Sequence, residues 1–220
     1  MFKPENIAKL IPVGGIFIIL CSSIKLIIYY SMFNIKIIEY LTIQEYASLF
    51  MEDIIFYLLI IGFGVLYHRF TVKSFIKKSG KWPIIIGIAI GITINLIFFL
   101  TSETIYNRIS NLTVVIYILV LLIFYLRQLK NKELNPTNYL VSVAIIFSIS
   151  NGFSLGYSVL ERDSIVDYKF HFTDYSINTS EKYRYLGKTE KYFFFYDLSN
   201  KQARIVNNEN LLDINVLEKN

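Results

Sequence analysis

Cysteine is almost missing from this chain of 220 residues: Cys21 stands alone, so no intramolecular disulfide and no cysteine cluster for zinc can form. A lipid-acceptor cysteine needs a small residue before it, and Leu20 precedes Cys21. Histidine occurs twice, as His68 and His171. No HExxH, GxSxG or phosphate-loop pattern is present, which removes the residue-level support for zinc hydrolases, serine hydrolases and nucleotide-binding enzymes. Charge is sparse as well. Charged residues make up 18% of the chain, against about a quarter in a soluble domain. Internal repeats and low-complexity segments are absent.

What fills the chain instead is apolar. Hydrophobic residues reach 54% and concentrate in residues 1–160. Five stretches have the length and composition to cross a bilayer, where about 20 apolar residues span a core of about 30 Å. They fall at about 10–30, 43–67, 83–100, 111–126 and 137–160. Pro12 suits a first helical turn, where its missing N–H costs little, and Trp82-Pro83 opens the third stretch in the same way. Lys25 interrupts the first stretch, and its long stem can carry the ammonium to the interface. Thr42 and Glu45 have capping-box spacing, with Thr42 accepting from the Glu45 amide and Glu45 reaching back.

The segment His68–Trp82 carries Arg69, Lys73, Lys77, Lys78 and Lys81 and no acid. Lys and Arg are retained on the cytoplasmic side of membranes, so this loop orients the chain. The same side takes Lys3, Lys9, Arg127, Lys130 and Lys132, while the opposite loops hold only Lys36 and Arg108. Basic retention also explains the net charge of +5 without a nucleic-acid partner. The reading is a multi-pass protein of the cell membrane, with a cytoplasmic N-terminus and an extracytoplasmic C-terminal domain. Abundant Ile, Asn and Lys suit an AT-rich bacterial genome and hence an inner membrane. If the fifth stretch does not cross, the C-terminal domain is cytoplasmic.

The tail changes character. Val166, Tyr168, Phe170 and Phe172 alternate with polar residues, the period of a half-buried strand. Residues 183–186 and 191–197 flank Gly187-Lys188-Thr189-Glu190 as a hairpin, and 202–206 and 212–216 supply further strands. The fold class is therefore an all-α membrane bundle of five helices, residues 1–160, with a small antiparallel β-sheet or β-barrel domain, residues 165–220. A domain that small is marginal alone and is expected to lean on the bundle or on a partner.

Candidate working residues lie on helices. Gly87 and Gly91, and Ser148, Gly152 and Gly156, are small residues at four-residue spacing that let helix backbones approach closely. Ser150, Ser154 and Ser158 form a second row on the fifth stretch. Asn151 and Asn95 need hydrogen-bond partners in hydrocarbon. These residues serve either packing within one subunit, an oligomer interface or a pore lining. Glu39, Glu45, Glu52 and Asp53 form an acidic group better explained as a solvated face than as a metal site. His68 and His171 fall on opposite sides of the membrane, which disfavours a His-based catalytic pair.

The stretches YSMFNIKIIEYLTIQEYASLF (residues 30–50) and YRYLGKTEKYFFFYD (residues 183–197) resemble small multi-spanning bacterial membrane proteins with an aromatic-rich C-terminal β module. The two stretches make up about a sixth of the chain, and the resemblance implies no activity. The composite expectation is a non-enzymatic sensor or interaction subunit, without metal or cofactor. Its partners are the lipid bilayer and either copies of itself or another membrane protein. The rival is an oligomeric pore or membrane-disrupting effector.

Overall fold

The computed structural model describes residues 4–45, 48, 54–55, 57, 82–129, 136–161, 166–179 and 182–218. Four helices have described bounds: α1 (Pro4–Ser31), α2 (Trp82–Thr101), α3 (Ile105–Leu129) and α4 (Pro136–Glu161). Residues 43–45, 48, 54–55 and 57 are helical too, within the expected second stretch. Six strands follow: β1 (Val166–Phe172), β2 (Ser176–Asn178), β3 (Tyr183–Lys188), β4 (Tyr192–Asp197), β5 (Gln202–Asn207) and β6 (Leu211–Glu218).

Two helix starts differ from the sequence expectation. α1 begins at Pro4, so Pro12 lies inside the helix; Pro4 takes the first-turn position where a missing N–H is free of cost. α3 begins at Ile105, ahead of the expected Asn111, because its N-terminal amides are all satisfied. Glu161 Oε1 and Oε2 accept from the Ile105 and Tyr106 amides at 2.8 Å each, and Thr104 Oγ1 accepts from Asn107 N at 3.3 Å. The Arg108 amide reaches the Thr104 carbonyl. An anionic carboxylate over a helix N-terminus also complements the helix dipole.

The helices lie side by side in the order α2, α3, α4, α1. α1 and α4 run parallel: Ile18 and Cys21 meet Ala144, Ile28 meets Gly152, and Met32 meets Gly156. Glu161 at the end of α4 caps the start of α3, so these two are antiparallel. The link Ser102–Thr104 returns α2 antiparallel to α3. α1 buries the stripe Ile18, Cys21, Ser22, Lys25 and Tyr29, at helical spacing. Lys25 falls on that stripe and is buried. Tyr57 enters the same layer and shares a 2.7 Å hydrogen bond with the buried Ser148 hydroxyl.

Much apolar surface stays uncovered. Ile90, Ile97, Phe98 and Leu100 of α2, and Leu119 and Ile123 of α3, are exposed. Two helical windows, Gly14–Ser31 and Val141–Glu161, are long and apolar enough to cross a membrane, and only 28% and 22% of them is buried. The stretches Ile85–Thr101 and Ile105–Val120 are apolar but shorter.

The strands form two antiparallel three-stranded sheets, β2-β1-β6 and β3-β4-β5. They face each other across Phe170, Phe172 and Ile177 on one side and Phe193, Phe195 and Val206 on the other. β4, the run YFFFYD, is the middle strand of its sheet and is buried on both faces. Phe193 and Phe195 point into the sandwich, while Phe194 points back to Tyr30, Phe33 and Ile37. Successive side chains of a strand alternate sides, so an unbroken aromatic run is what a strand between two apolar layers requires. The layers are therefore helix ends, then β3-β4-β5, then β2-β1-β6.

Candidate functional site

The junction between helices and sheets is the most constructed part of the molecule. It starts with the way α1 ends. Asn34 sits in the left-handed region at φ 58°; its amide reaches the Ser31 carbonyl and the Ile35 amide reaches the Tyr30 carbonyl, both at 3.0 Å. This is the Schellman arrangement, and the apolar contact that accompanies it is Ile35 against Tyr30. The stop turns residues 33–41 back across the helix end, with Phe33, Ile35 and Ile37 buried. The connection that the sequence presents as a loop is thus part of the core.

Onto this surface the β3–β4 hairpin docks. β3 carries a bulge: Tyr185 pairs with Phe195 and Gly187 with Phe194, leaving Leu186 unmatched. The freed Leu186 carbonyl accepts a 2.7 Å hydrogen bond from the Tyr29 hydroxyl, 157 residues away in sequence. Gly187 has φ +138°, and a Cβ there would lie 2.6 Å from the Tyr30 hydroxyl oxygen. Glycine is required twice over, for its backbone angle and for the close approach. Tyr30 meets Phe194 edge to face at 5.2 Å, and Phe33 meets Tyr196 at 5.1 Å.

A carboxylate makes the second attachment. Glu45 Oε2 accepts from the Thr42 amide at 2.6 Å and the Thr42 hydroxyl accepts from Glu45 N at 3.4 Å, the reciprocal capping box. The other oxygen, Oε1, accepts from the Glu190 amide at the hairpin turn. One side chain therefore ties a helix start to the β3–β4 hairpin. Asn208 pins the same turn from the far side, donating from Nδ2 to the Glu190 carbonyl at 3.2 Å. Between these attachments lies a cavity of about 110 Å³ floored by Leu26, Tyr30, Ile37 and Leu41. Its rim of Glu45, Ser48, Lys188 and Thr189 is shared with a shallow open cleft. Its volume admits several waters.

On α4, Gly152 and Gly156 face α1, while Ser148 bonds Tyr57. A Cβ on Gly152 would lie 2.7 Å from the Lys25 carbonyl oxygen, and one on Gly156 would meet the Met32 thioether. Ser150 of the second small row faces Tyr117 of α3, so α4 lies between two neighbours. Asn151 is half-buried. On α2, Gly91 approaches the tip of Ile118 and Gly87 faces open space. Asn95 donates to its own helix, from Nδ2 to the Gly91 carbonyl at 2.9 Å, and Thr93 likewise reaches Ala89. Neither joins Asn151, because a carbonyl one turn back is the nearer acceptor. Arg69, Lys73, Lys77, Lys78 and Lys81 lie outside the described residues, as do Glu52 and Asp53.

Among the described residues no group of three or more His, Cys, Asp or Glu side chains converges to hold a metal ion. The Tyr185 hydroxyl, beside the junction, is pushed up to about 12 by burial and by the neighbouring Tyr168. The acceptor that the sequence reading missed is Glu161, whose signal is Thr104, an N-cap residue ahead of Ile105. The Tyr29, Gly187 and Glu190 contacts join residues more than a hundred positions apart and leave no local signature. Comparison with known protein families, characterised proteins and solved structures returns no match.

Proposed function

We propose that the chain is a membrane protein of five crossings that displays its β sandwich on the outer side as an interaction or sensing module. Several features support the membrane reading. Helices that bare Ile90, Ile97, Phe98 and Leu100 need an apolar surrounding. The parallel run of α1 and α4 agrees with three crossings between them, since neighbours joined by short links alternate direction. The helix ends remote from the sheets are the start of α1, the start of α2, the end of α3 and the start of α4. The basic segments adjoin those ends, as retention on the cytoplasmic side predicts.

The observation that carries the functional reading is the junction. The hairpin is fastened to α1 through Tyr29 and to the following helix start through Glu45. Engagement of the sandwich therefore acts on two helices directly. The small residues of α4 are taken up by α1 and α3, which favours this reading over a pore lined by α4.

Two experiments test it. Reporter fusions after Lys132 and after Asn220 should give cytoplasmic and extracytoplasmic signals respectively; a cytoplasmic signal from both refutes the five crossings. Purified protein in liposomes should release no entrapped dye or ions above empty vesicles, and release in proportion to protein would establish the pore instead.

A further inference from the structure

Strand β6 ends its sheet, with β1 its strand neighbour among the described residues. Edges of this kind are normally blunted by Lys, Pro or a covering segment. β6 reads LLDINVLE and has neither residue; its one irregularity is a bulge at Leu212, which leaves Asp213–Leu217 as the regular edge. Ile214 and Val216 share the face of Phe170 and Tyr168, the face turned toward the opposite sheet. They are nevertheless exposed by 41% and 61%, with Leu212 at 70%.

We propose that β6 is a homodimer interface, pairing antiparallel with β6 of a second copy. The strand is self-complementary in one register. Centred on Ile214, it sets Ile214 against itself and Asp213 against Asn215 in the regular part of the strand, and brings the apolar Leu211–Leu212 bulge to Val216 and Leu217. Centred one residue back it opposes two Asp213 carboxylates, and one residue forward it sets Asp213 against Leu217. Directly opposite residues share a face and like charges there are unfavourable, so only the Ile214 register matches apolar with apolar and acid with amide. The outcome is one six-stranded sheet, within the usual range of sheet sizes.

The geometry suits a membrane as well. A two-fold axis perpendicular to a continuous sheet leaves each face on its own side. Both copies then carry the second sheet and the helices on the same side, as insertion in one bilayer demands. This choice of axis rests on the membrane reading; dimerisation in detergent does not. A C2 interface needs such a self-matching patch.

The test uses the full chain in detergent, in a Cys21→Ser background. Ile214→Cys places two thiols opposite each other on the axis and should give a disulfide-linked dimer under mild oxidation. Ser199→Cys, exposed on the β4–β5 turn, should not cross-link. Ile214→Lys sets two ammonium groups face to face and should weaken the dimer about tenfold or more, with the near-ultraviolet signal of the aromatic core unchanged. A chain that is monomeric at all concentrations overturns the proposal, whether or not the five crossings hold. So does a dimer that Ile214→Lys leaves intact, or equal cross-linking at Ser199→Cys.

Discussion

Gly152 and Gly156 invite a comparison whose sign follows from what each one touches. Replacing either by Ala in a helix interior gains about 1 kcal/mol of intrinsic preference. At Gly152 the new methyl meets the Lys25 carbonyl oxygen at 2.7 Å and Ile28 Cβ at 2.9 Å. Backbone cannot swing aside, so α1 and α4 must part, and overpacking of that kind costs about 1–3 kcal/mol. At Gly156 the obstacle is the Met32 thioether, the far end of a flexible side chain that can turn away. Gly152→Ala is therefore a net loss of up to about 2 kcal/mol, while Gly156→Ala is neutral or better. The protein supplies its own reporter. Cys21 is 1% exposed and packs in the same interface, against Ala144. A thiol-reactive fluorogenic dye in detergent reads the opening of that interface on heating. Gly152→Ala should melt below the parent by up to about 8 °C, at about 2–4 °C per kcal/mol for a chain of this size. If Gly156→Ala melts lower than Gly152→Ala, the argument that a fixed carbonyl and a mobile thioether differ is refuted.

Further predictions concern the junction, the helix cap and acid stability. Tyr29→Phe leaves the Leu186 carbonyl without its 2.7 Å donor, a loss of about 1–3 kcal/mol to be seen as earlier melting of the aromatic near-ultraviolet signal; Gly187→Ala should be worse, having both backbone strain and the Tyr30 hydroxyl against it. Glu161→Ala removes the acceptor of the Ile105 and Tyr106 amides, so hydrogen exchange at those two amides should accelerate while exchange in β4 stays the same. Burial alone would raise the Asp197 carboxyl, but the Asn200 and Ser199 amides, the Asn200 side chain and Lys182 outweigh it and hold it below the ordinary range. A depressed carboxylate contributes stability that is complete above pH ~4 and is lost as pH falls through its folded value. Asp197→Asn should therefore flatten the acid limb of a stability profile, and an unaltered limb would show that other carboxylates set it.

Local chemistry was readable where it was short-range. The Thr42–Glu45 capping box and the alternation of Val166–Phe172 appear in the structure as hydrogen bonds and as a strand. The last helix, expected at 137–160, spans Pro136–Glu161, because Pro136 marks its first turn and polar chain follows it. β2, three residues long, went unread because so short a strand has no period to detect. Residues 33–41 read as a connection, since burial of Phe33 and Ile37 depends on strands more than 150 positions later. The two small-residue rows of α4 could be read as faces, but not which neighbours they would meet. The same holds for Glu45: its bond to Thr42 is written in the spacing, its bond to Glu190 is not.

The double-sided burial of β4 bears on how the chain is made. Synthesis delivers Tyr29, Tyr30 and Phe33 early, but their covering partners Leu186 and Phe194 only about 150 residues later. Until then the aromatic patch at the end of α1 lacks these two partners and is only partly covered. A chain interrupted anywhere before β3 keeps that patch, whereas a finished one conceals it. Completion of the C-terminal strands is thereby felt at the beginning of the molecule, where the cluster around Tyr29, Tyr30 and Phe33 closes last.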